Sequence, residues 1–161
     1  MNMNECAKTN PWPTRTYIWA CVWLLLSIFT PLSVADSTLE RLEIATQTGQ
    51  RHPFFVELAT TPKARRQGLM LRRELAPEGG MLFVFNKPRV VTMWMKETYV
   101  SLDMLFIDTA GNIVRIAART TPLSLKRISS QGPVLAVLEL VGGAAQDRGI
   151  AVGDRVFHRL F

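Results

Sequence analysis

The chain has 161 residues, of which 48% are hydrophobic, 9% aromatic and 20% charged, a globular composition that argues against an intrinsically disordered protein. Its length fits one domain, and 19 basic against 13 acidic residues give a net charge of +6. With only two cysteines and two histidines, a disulfide scaffold or a cysteine-based zinc cluster is not expected.

The N-terminal segment, residues 1–35, has the layout of a secretory signal peptide. Two basic residues precede an apolar stretch from Tyr17 to Phe29, and small residues end the segment at Ala35. We predict cleavage after Ala35 and a periplasmic or extracellular location. The alternative is an uncleaved membrane anchor formed by residues 16–35, because a membrane span needs about 20 apolar residues.

Residues 36–161 are predicted to form a single mainly β domain. Short apolar or alternating runs between turn residues predict eight strands. In chain order they are residues 39–44, which we expect at a sheet edge, 54–59, 81–85, 90–96, 103–108, 112–118, 133–141 and 155–161. From Gly80 onward the pattern favours a β-meander, with a turn at Asn86–Pro88. The fold class predicted is therefore a compact antiparallel barrel or sandwich with one or two short helices.

Two short helices interrupt the strands. Thr61 followed by Pro62 is typical of a helix start, with threonine as the cap and proline in the first turn. We expect this helix to run to Leu71 and to contain Gly68, where a missing side chain permits close packing. A second short helix is predicted within residues 142–149, ending at a glycine.

Several motifs occur in a fixed order in this domain, and through them the chain resembles the domain of unknown function 192 family from about Val56 to Val156. The resemblance implies a compact, mainly β, barrel-like domain that is usually exported or membrane-attached, and it implies no activity. The motifs are Arg-x-x-Gly-Leu-Met-x-Arg at Arg65–Arg72, the apolar run Gly80–Phe85, Trp-Met-Lys at Trp94–Lys96, Leu-Asp at Leu102–Asp103, Val-Leu-Glu at Val137–Glu139 and Gly-Ile-x-x-Gly-Asp at Gly149–Asp154.

The chain departs from this family pattern at three places. Glu97 stands where asparagine is usual, Ser101 stands where proline commonly precedes Leu-Asp, and residues 123–131 lack the usual Tyr-x-Ser. A ligand contact made by that asparagine or tyrosine in relatives would be lost or altered here.

Charged residues recur between the apolar strands of these motifs. A buried charge must be paired or hydrogen-bonded, so one interpretation is a structural ion pair between Lys96 and Asp103 or Glu139. The other is a polar pocket in which basic side chains receive an anionic or sugar-like ligand against a flat tryptophan wall. The predicted ligand-binding residues are Arg65, Arg72, Trp94, Lys96, Asp103 and Glu139.

Three function classes follow from this pattern. We predict a non-enzymatic binding or accessory module of the cell envelope, without catalytic residues or a cofactor, since no nucleophile elbow, HExxH or glycine-rich phosphate loop is present. The first alternative is a hydrolase acting on an envelope polymer through Asp103 and Glu139 as acid and base. The second is a structural domain that binds a protein partner through an exposed apolar patch.

Metal and nucleic-acid binding are not predicted. His52 and His158 are far apart in the sequence, and the several methionines, whose thioethers would suit Cu(I), also serve as core residues. The basic pairs Arg65-Arg66 and Arg72-Arg73 favour a solvated surface or a phosphate or lipid head group over DNA in an exported protein. Expected partners are a small anionic or sugar-like ligand or an envelope protein, with membrane contact only through an uncleaved N-terminal segment. The methionines are Met70, Met81, Met93, Met95 and Met104.

Overall fold

A computed structural model of the chain describes residues 39–161. The predicted signal segment lies outside these residues, so its cleavage stays a prediction. Within residues 39–161, no helix has the length and apolar character needed to cross a membrane.

The described chain folds into seven strands and two short helices, which confirms the mainly β prediction. In chain order the elements are β1 Glu40–Ala45, β2 Arg51–Ala59, α1 Pro62–Gln67, β3 Gly79–Met93, β4 Leu102–Ile107, β5 Ile113–Ala117, β6 Ile128–Val141, α2 Ala144–Asp147 and β7 Arg155–Phe157. The strands form one sheet in the order β5-β4-β6-β3-β2-β1-β7, which curls into a half-barrel.

The predicted β-meander does not form, because the two longest strands, β3 and β6, pair with each other over most of their length. Residues 81–85 and 90–96, predicted as two strands with a turn between them, belong to the single strand β3 as far as Met93. The predicted turn is an irregularity in the pairing with β6, where the register shifts between Val84 and Arg89. Pro88 has no N–H to donate to a regular ladder, so this bulge is where a strand accepts it.

The sheet is mixed, not purely antiparallel as predicted. Strands β2 and β3 pair in parallel, from Phe55 opposite Gly79 to Ala59 opposite Phe83. Two parallel neighbours need a crossover connection, and the segment containing α1 supplies it. The first strand is also not at an edge, because β1 pairs with both β2 and β7.

Helix α1 begins as predicted but ends earlier. The Thr61 hydroxyl accepts a hydrogen bond from the Ala64 amide at 3.0 Å. The helix ends at Gln67 because Gly68 has a φ of +48°, outside the helical range. A Cβ atom at Gly68 would lie 3.1 Å from Cζ of Phe83, so the missing side chain allows the close packing expected at this glycine.

Apolar residues cover both faces of the sheet. Phe54, Leu105 and Leu138 belong to the core on the face against which α2 packs. Phe83 and Met104 belong to the core on the opposite face, which also holds Leu69 from the segment after α1. Strand β4 is buried on both faces, which explains why all its residues except Asp103 are apolar. The face that carries α1 also carries the candidate site.

Candidate functional site

Glu139 forms the floor of a pocket on the α1 face of the sheet. It lies in the middle of β6, opposite Met81 of β3 on one side and Met104 of β4 on the other. Its residue surface is only 4% exposed. Burial alone raises the pKa of Glu139 to about 8, and no hydrogen bond or charged neighbour within residues 39–161 contributes to the shift. The carboxyl group is therefore mainly protonated at neutral pH and free to donate a hydrogen bond.

The pocket walls come mainly from two segments of the chain. The end of α1 and the residues after it form one wall, and the end of β3 with the following loop forms the other. The pocket volume is about 90 Å³, roughly the share of liquid occupied by three water molecules. It therefore has room for a small polar group. The residues lining it, besides Glu139, are Arg65, Arg66, Gln67, Gly68, Leu69, Met70, Phe83, Thr92, Met93, Trp94, Lys96 and Thr98.

Arg65 is a fixed part of the wall. Its guanidinium Nη1 donates to the carbonyl oxygens of Thr60 at 2.5 Å and Val84 at 2.8 Å, and the group lies 5.4 Å from the Phe85 ring centroid. Two backbone bonds and a cation–π contact hold this cation in one place. Arg66, by contrast, is exposed at the pocket rim.

Trp94 and Lys96 stand at the mouth of the pocket. They belong to a loop, because β3 ends at Met93, so the strand predicted over residues 90–96 is wrong at its end. The Lys96 ammonium lies 5.9 Å from the Trp94 ring centroid and 3.7 Å from the Glu97 carboxylate. The predicted ion pair of Lys96 with Asp103 or Glu139 does not form. Lys96 instead forms a half-exposed pair with Glu97.

Arg72 is not part of this pocket, contrary to the prediction. Its Nη2 donates to both carboxylate oxygens of Glu57, at 2.6 and 2.7 Å. Glu57 lies on β2, as a charged residue within the apolar run from Phe54 to Ala59. Arg72 lines a separate, more apolar groove beside Phe55 and Leu75.

Asp103 stabilises the fold and does not belong to the pocket. It is fully buried, and its carboxylate accepts backbone hydrogen bonds from Arg119 at 2.7 Å, Gly143 at 3.0 Å and Ala145 at 2.9 Å. These contacts hold the start of α2 and the end of β5 against β4. Three donors occupy the carboxylate, and it does not face the pocket.

The structure contradicts the paired-carboxylate arrangement on which the hydrolase alternative rested. In the antiparallel pair β4–β6, Asp103 is opposite Leu140 and Glu139 is opposite Met104. Successive side chains of a strand point to opposite faces, so the two carboxyl groups lie on opposite sides of the sheet. They cannot flank one scissile bond as a glycosidase pair does.

The methionines are divided between the core and the pocket. Met81, Met95 and Met104 are buried in the core of the α1 face. Met70 and Met93 line the pocket. Within residues 39–161, no group of three or more histidine, cysteine, aspartate or glutamate side chains is placed to hold a metal ion.

Sequence reasoning therefore found four of the pocket residues and missed several others. Arg65, Trp94, Lys96 and Glu139 lie together as predicted, whereas Arg72 and Asp103 lie elsewhere. The polar lining residues Gln67, Thr92 and Thr98 carried no signal of their own in the sequence. Gln67 and Gly68 lie inside the Arg-x-x-Gly-Leu-Met-x-Arg motif, which could have marked them.

Comparisons with known proteins assign this domain to a family. The model of the DUF192 family, described as "Uncharacterized ACR", matches residues 43–158. A candidate transcription regulator from Sinorhizobium meliloti 1021 has a solved structure similar to this chain, with 47% identity and a TM-score of 0.73, covering 74% of this chain and 92% of that one. A protein of unknown function from Novosphingobium aromaticivorans has 37% identity and a TM-score of 0.74, covering 78% of this chain and 89% of that one. A search of curated proteins finds no match.

Proposed function

The chain belongs to the DUF192 family, and we propose that it is a non-enzymatic binding module of the cell envelope whose Glu139 pocket takes an acidic group of a small, sugar-like ligand. Residues 1–35 would direct its export and would then be cleaved or retained as an anchor, which places the pocket in the periplasm or outside the cell. The observation that carries the binding proposal is Glu139, a buried carboxyl group without a partner among the described residues at the floor of a polar pocket.

A buried polar group without a partner is disfavoured unless something outside the fold satisfies it. The protonated carboxyl group of Glu139 offers one donor, which suits a ligand oxygen. At the rim, Arg66 and Lys96 offer positive charge, and among residues 39–161 Glu139 is the only carboxyl group that lines the cavity. This combination supports an anionic oxygen ligand, with a hydrogen bond from the floor and charge contacts at the mouth.

The half-exposed Trp94 supports a ring-shaped ligand. An indole face next to charged groups provides a flat apolar wall, on which the apolar face of a sugar ring can pack. The cavity of about 90 Å³ holds only the acidic group, so the ring would rest at the mouth against Trp94. A uronic acid has both the acidic group and the sugar ring in one molecule.

The test uses residues 37–161. The matched solved chains consist almost wholly of this domain, at 92% and 89% of their lengths, so the domain folds without an N-terminal segment of this kind in those relatives. Trp94 is the single tryptophan in this part of the sequence, which makes fluorescence a direct report on the pocket mouth. We would titrate glucuronate, glucose and inorganic phosphate, and follow Trp94 emission and thermal stability together.

We expect glucuronate to change Trp94 emission and raise the melting temperature, phosphate to raise the melting temperature only, and glucose to do neither. Arg66→Gln should weaken glucuronate binding severalfold. Lys63→Gln, which removes an exposed charge from the same helix outside the pocket, should leave it unchanged. Absence of any response to glucuronate and phosphate, or equal losses in the two variants, would refute the proposal.

A further inference from the structure

Three loops lie side by side, and the middle one lines the mouth of the Glu139 pocket. We call residues 71–73, 94–99 and 121–127 together the loop surface. Backbone hydrogen bonds join the second loop to each of the others. They run from the Leu71 amide to the Glu97 carbonyl at 2.7 Å, from the Leu123 amide to the Thr98 carbonyl at 3.0 Å, and from the Met95 amide to the Ser124 carbonyl at 3.0 Å.

These loops expose large apolar side chains. Leu71 is 61% exposed, Leu123 52% and Leu125 67%, and Trp94 and Tyr99 are also exposed. Single exposed apolar residues are ordinary on a protein surface, but five on three hydrogen-bonded loops are a local concentration. None of the three leucines belongs to either core of the described domain.

The backbone of two of these leucines is unfavourable for their side chains. Leu71 has a φ of +65° and Leu123 a φ of +62°, in the left-handed region that glycine and asparagine adopt readily and leucine does not. Strained residues of this kind concentrate at functional positions. Neither burial nor backbone preference accounts for leucine at these two positions, so the exposed apolar side chain needs another explanation.

Basic residues surround the apolar ones. The loop surface contains five basic residues and one acidic residue, Glu97. The Arg73 guanidinium lies 4.8 Å from the Tyr99 ring centroid. The charged pair Lys126 and Arg127 directly follows Leu125 and is exposed. The other basic residues are Arg72 and Lys96, which pair with Glu57 and Glu97, so Arg73, Lys126 and Arg127 provide the excess positive charge.

We infer that the loop surface docks the domain onto an anionic lipid bilayer. Leu71, Leu123 and Leu125 would enter the outer part of the acyl region, and Trp94 and Tyr99 would lie at the level of the head groups, where such rings concentrate. The excess of basic residues complements the charge of the head groups. Short loops with one to two apolar side chains each fit a fluid bilayer better than a protein surface, which requires a packed complementary partner.

This inference goes beyond the proposed ligand, because it does not depend on what the pocket binds. It extends the expected membrane contact from the N-terminal segment to the folded domain. Since Trp94 and Lys96 belong to both features, docking would turn the pocket mouth toward the membrane surface.

The test compares binding of residues 37–161 to two kinds of vesicle, so that the N-terminal segment does not contribute. One kind is pure phosphatidylcholine, and the other contains about one third phosphatidylglycerol. We expect binding to the anionic vesicles only, weakened by added salt, with a blue shift of Trp94 emission. The double variant Leu71→Asn/Leu123→Asn should bind at least about tenfold more weakly, since binding strength scales with the apolar area inserted.

The asparagine substitutions separate docking from folding. Asparagine tolerates positive φ, so the double variant should be at least as stable as the wild type. Val152→Asn, at an exposed apolar residue outside the loop surface, is the matched control and should bind as the wild type does. Equal binding to both vesicle types, no binding at all, or unchanged binding of the double variant would overturn the inference. Self-association that the double variant abolishes, without vesicle binding, would assign the surface to a second copy of the chain instead.

Discussion

Asp103 and Glu139 lie on neighbouring strands and point to opposite faces of the same sheet, since Asp103 pairs with Leu140 and Glu139 with Met104. The two carboxyl groups differ in every contact. Asp103 accepts three backbone hydrogen bonds, whereas Glu139 has only apolar strand neighbours and a pocket above it. One therefore stabilises the fold, and the other is available to a ligand.

Asp103→Asn should destabilise the domain by about 2–4 kcal/mol, because the amide retains one oxygen acceptor and turns an NH₂ group toward backbone donors. Urea denaturation of residues 37–161 measures this difference. Ligand affinity per folded molecule should be unchanged, since Asp103 does not line the pocket. A fully stable variant would contradict the structural role.

Glu139 should make stability fall as the pH rises. Its folded pKa of about 8 lies above the ordinary value of 4.5, so the folded state retains a proton that the unfolded state releases between these values. Its stabilising contribution is complete below pH 4.5 and is lost as the pH rises through about 8. The total change should be on the order of a few kcal/mol.

Glu139→Gln is the matched variant, because glutamine keeps the shape and a donor but does not titrate. We expect the free energy of unfolding of the wild type minus that of the variant to decrease from pH 5 to about pH 8 and to level off above it. A difference that stays constant over this range would show that Glu139 does not titrate as proposed. Glucuronate affinity should also fall above pH 8 in the wild type only, because the ionised floor repels an anion.

His158 should act in the opposite direction, at acid pH. Burial lowers the pKa of His158 below its usual 6.5, an effect that the neighbouring Glu40 carboxylate partly offsets. Its contribution to stability is therefore present above pH 6.5 and lost as the pH falls through the folded value. Protonation also places a proton on Nδ1, which is buried without a partner among the described residues. In His158→Gln the loss of stability between pH 7 and pH 5 should be smaller, as measured by urea denaturation.

Gly80→Ala should destabilise the domain by at least about 2–3 kcal/mol, because a Cβ atom there would lie 2.6 Å from the carbonyl oxygen of Glu139. That oxygen belongs to the backbone of the central strand and cannot move aside. Gly132→Ala is the comparison, since a Cβ atom at Gly132 meets nothing within 4 Å. Melting temperatures of the two variants check the prediction, and similar values would contradict it.

Local signals in the sequence predicted local structure well. The cap of α1 depends on Thr61 and Ala64, which are three positions apart. The bulge within β3 and the parallel pairing of β2 with β3 depend on distant partners, so the pattern gave a meander instead. The alternation of apolar and polar residues along one strand does not reveal which other strand pairs with it.

The same difference between local and distant contacts explains which residues of the candidate site could be predicted. The pattern of polar residues among apolar strands grouped Arg65, Trp94, Lys96 and Glu139, and these four residues line one pocket in the structure. The role of Asp103 was not predictable, because its partners are the backbone amides of Arg119, Gly143 and Ala145, which are 16 to 42 residues away. Arg72 was assigned to the wrong site because the position of Glu57 beside it appears only in the folded chain.

The three-residue strand β7 determines when the domain can finish folding. It pairs with β1, and Arg155 bridges to Asn112 beside β5, so one late segment joins both ends of the sheet order. Val156 also completes the core to which β1 and β2 contribute. During synthesis the first strand must therefore wait, with one edge unpaired, until residues 155–157 have left the ribosome. The sheet is therefore closed only by its last strand.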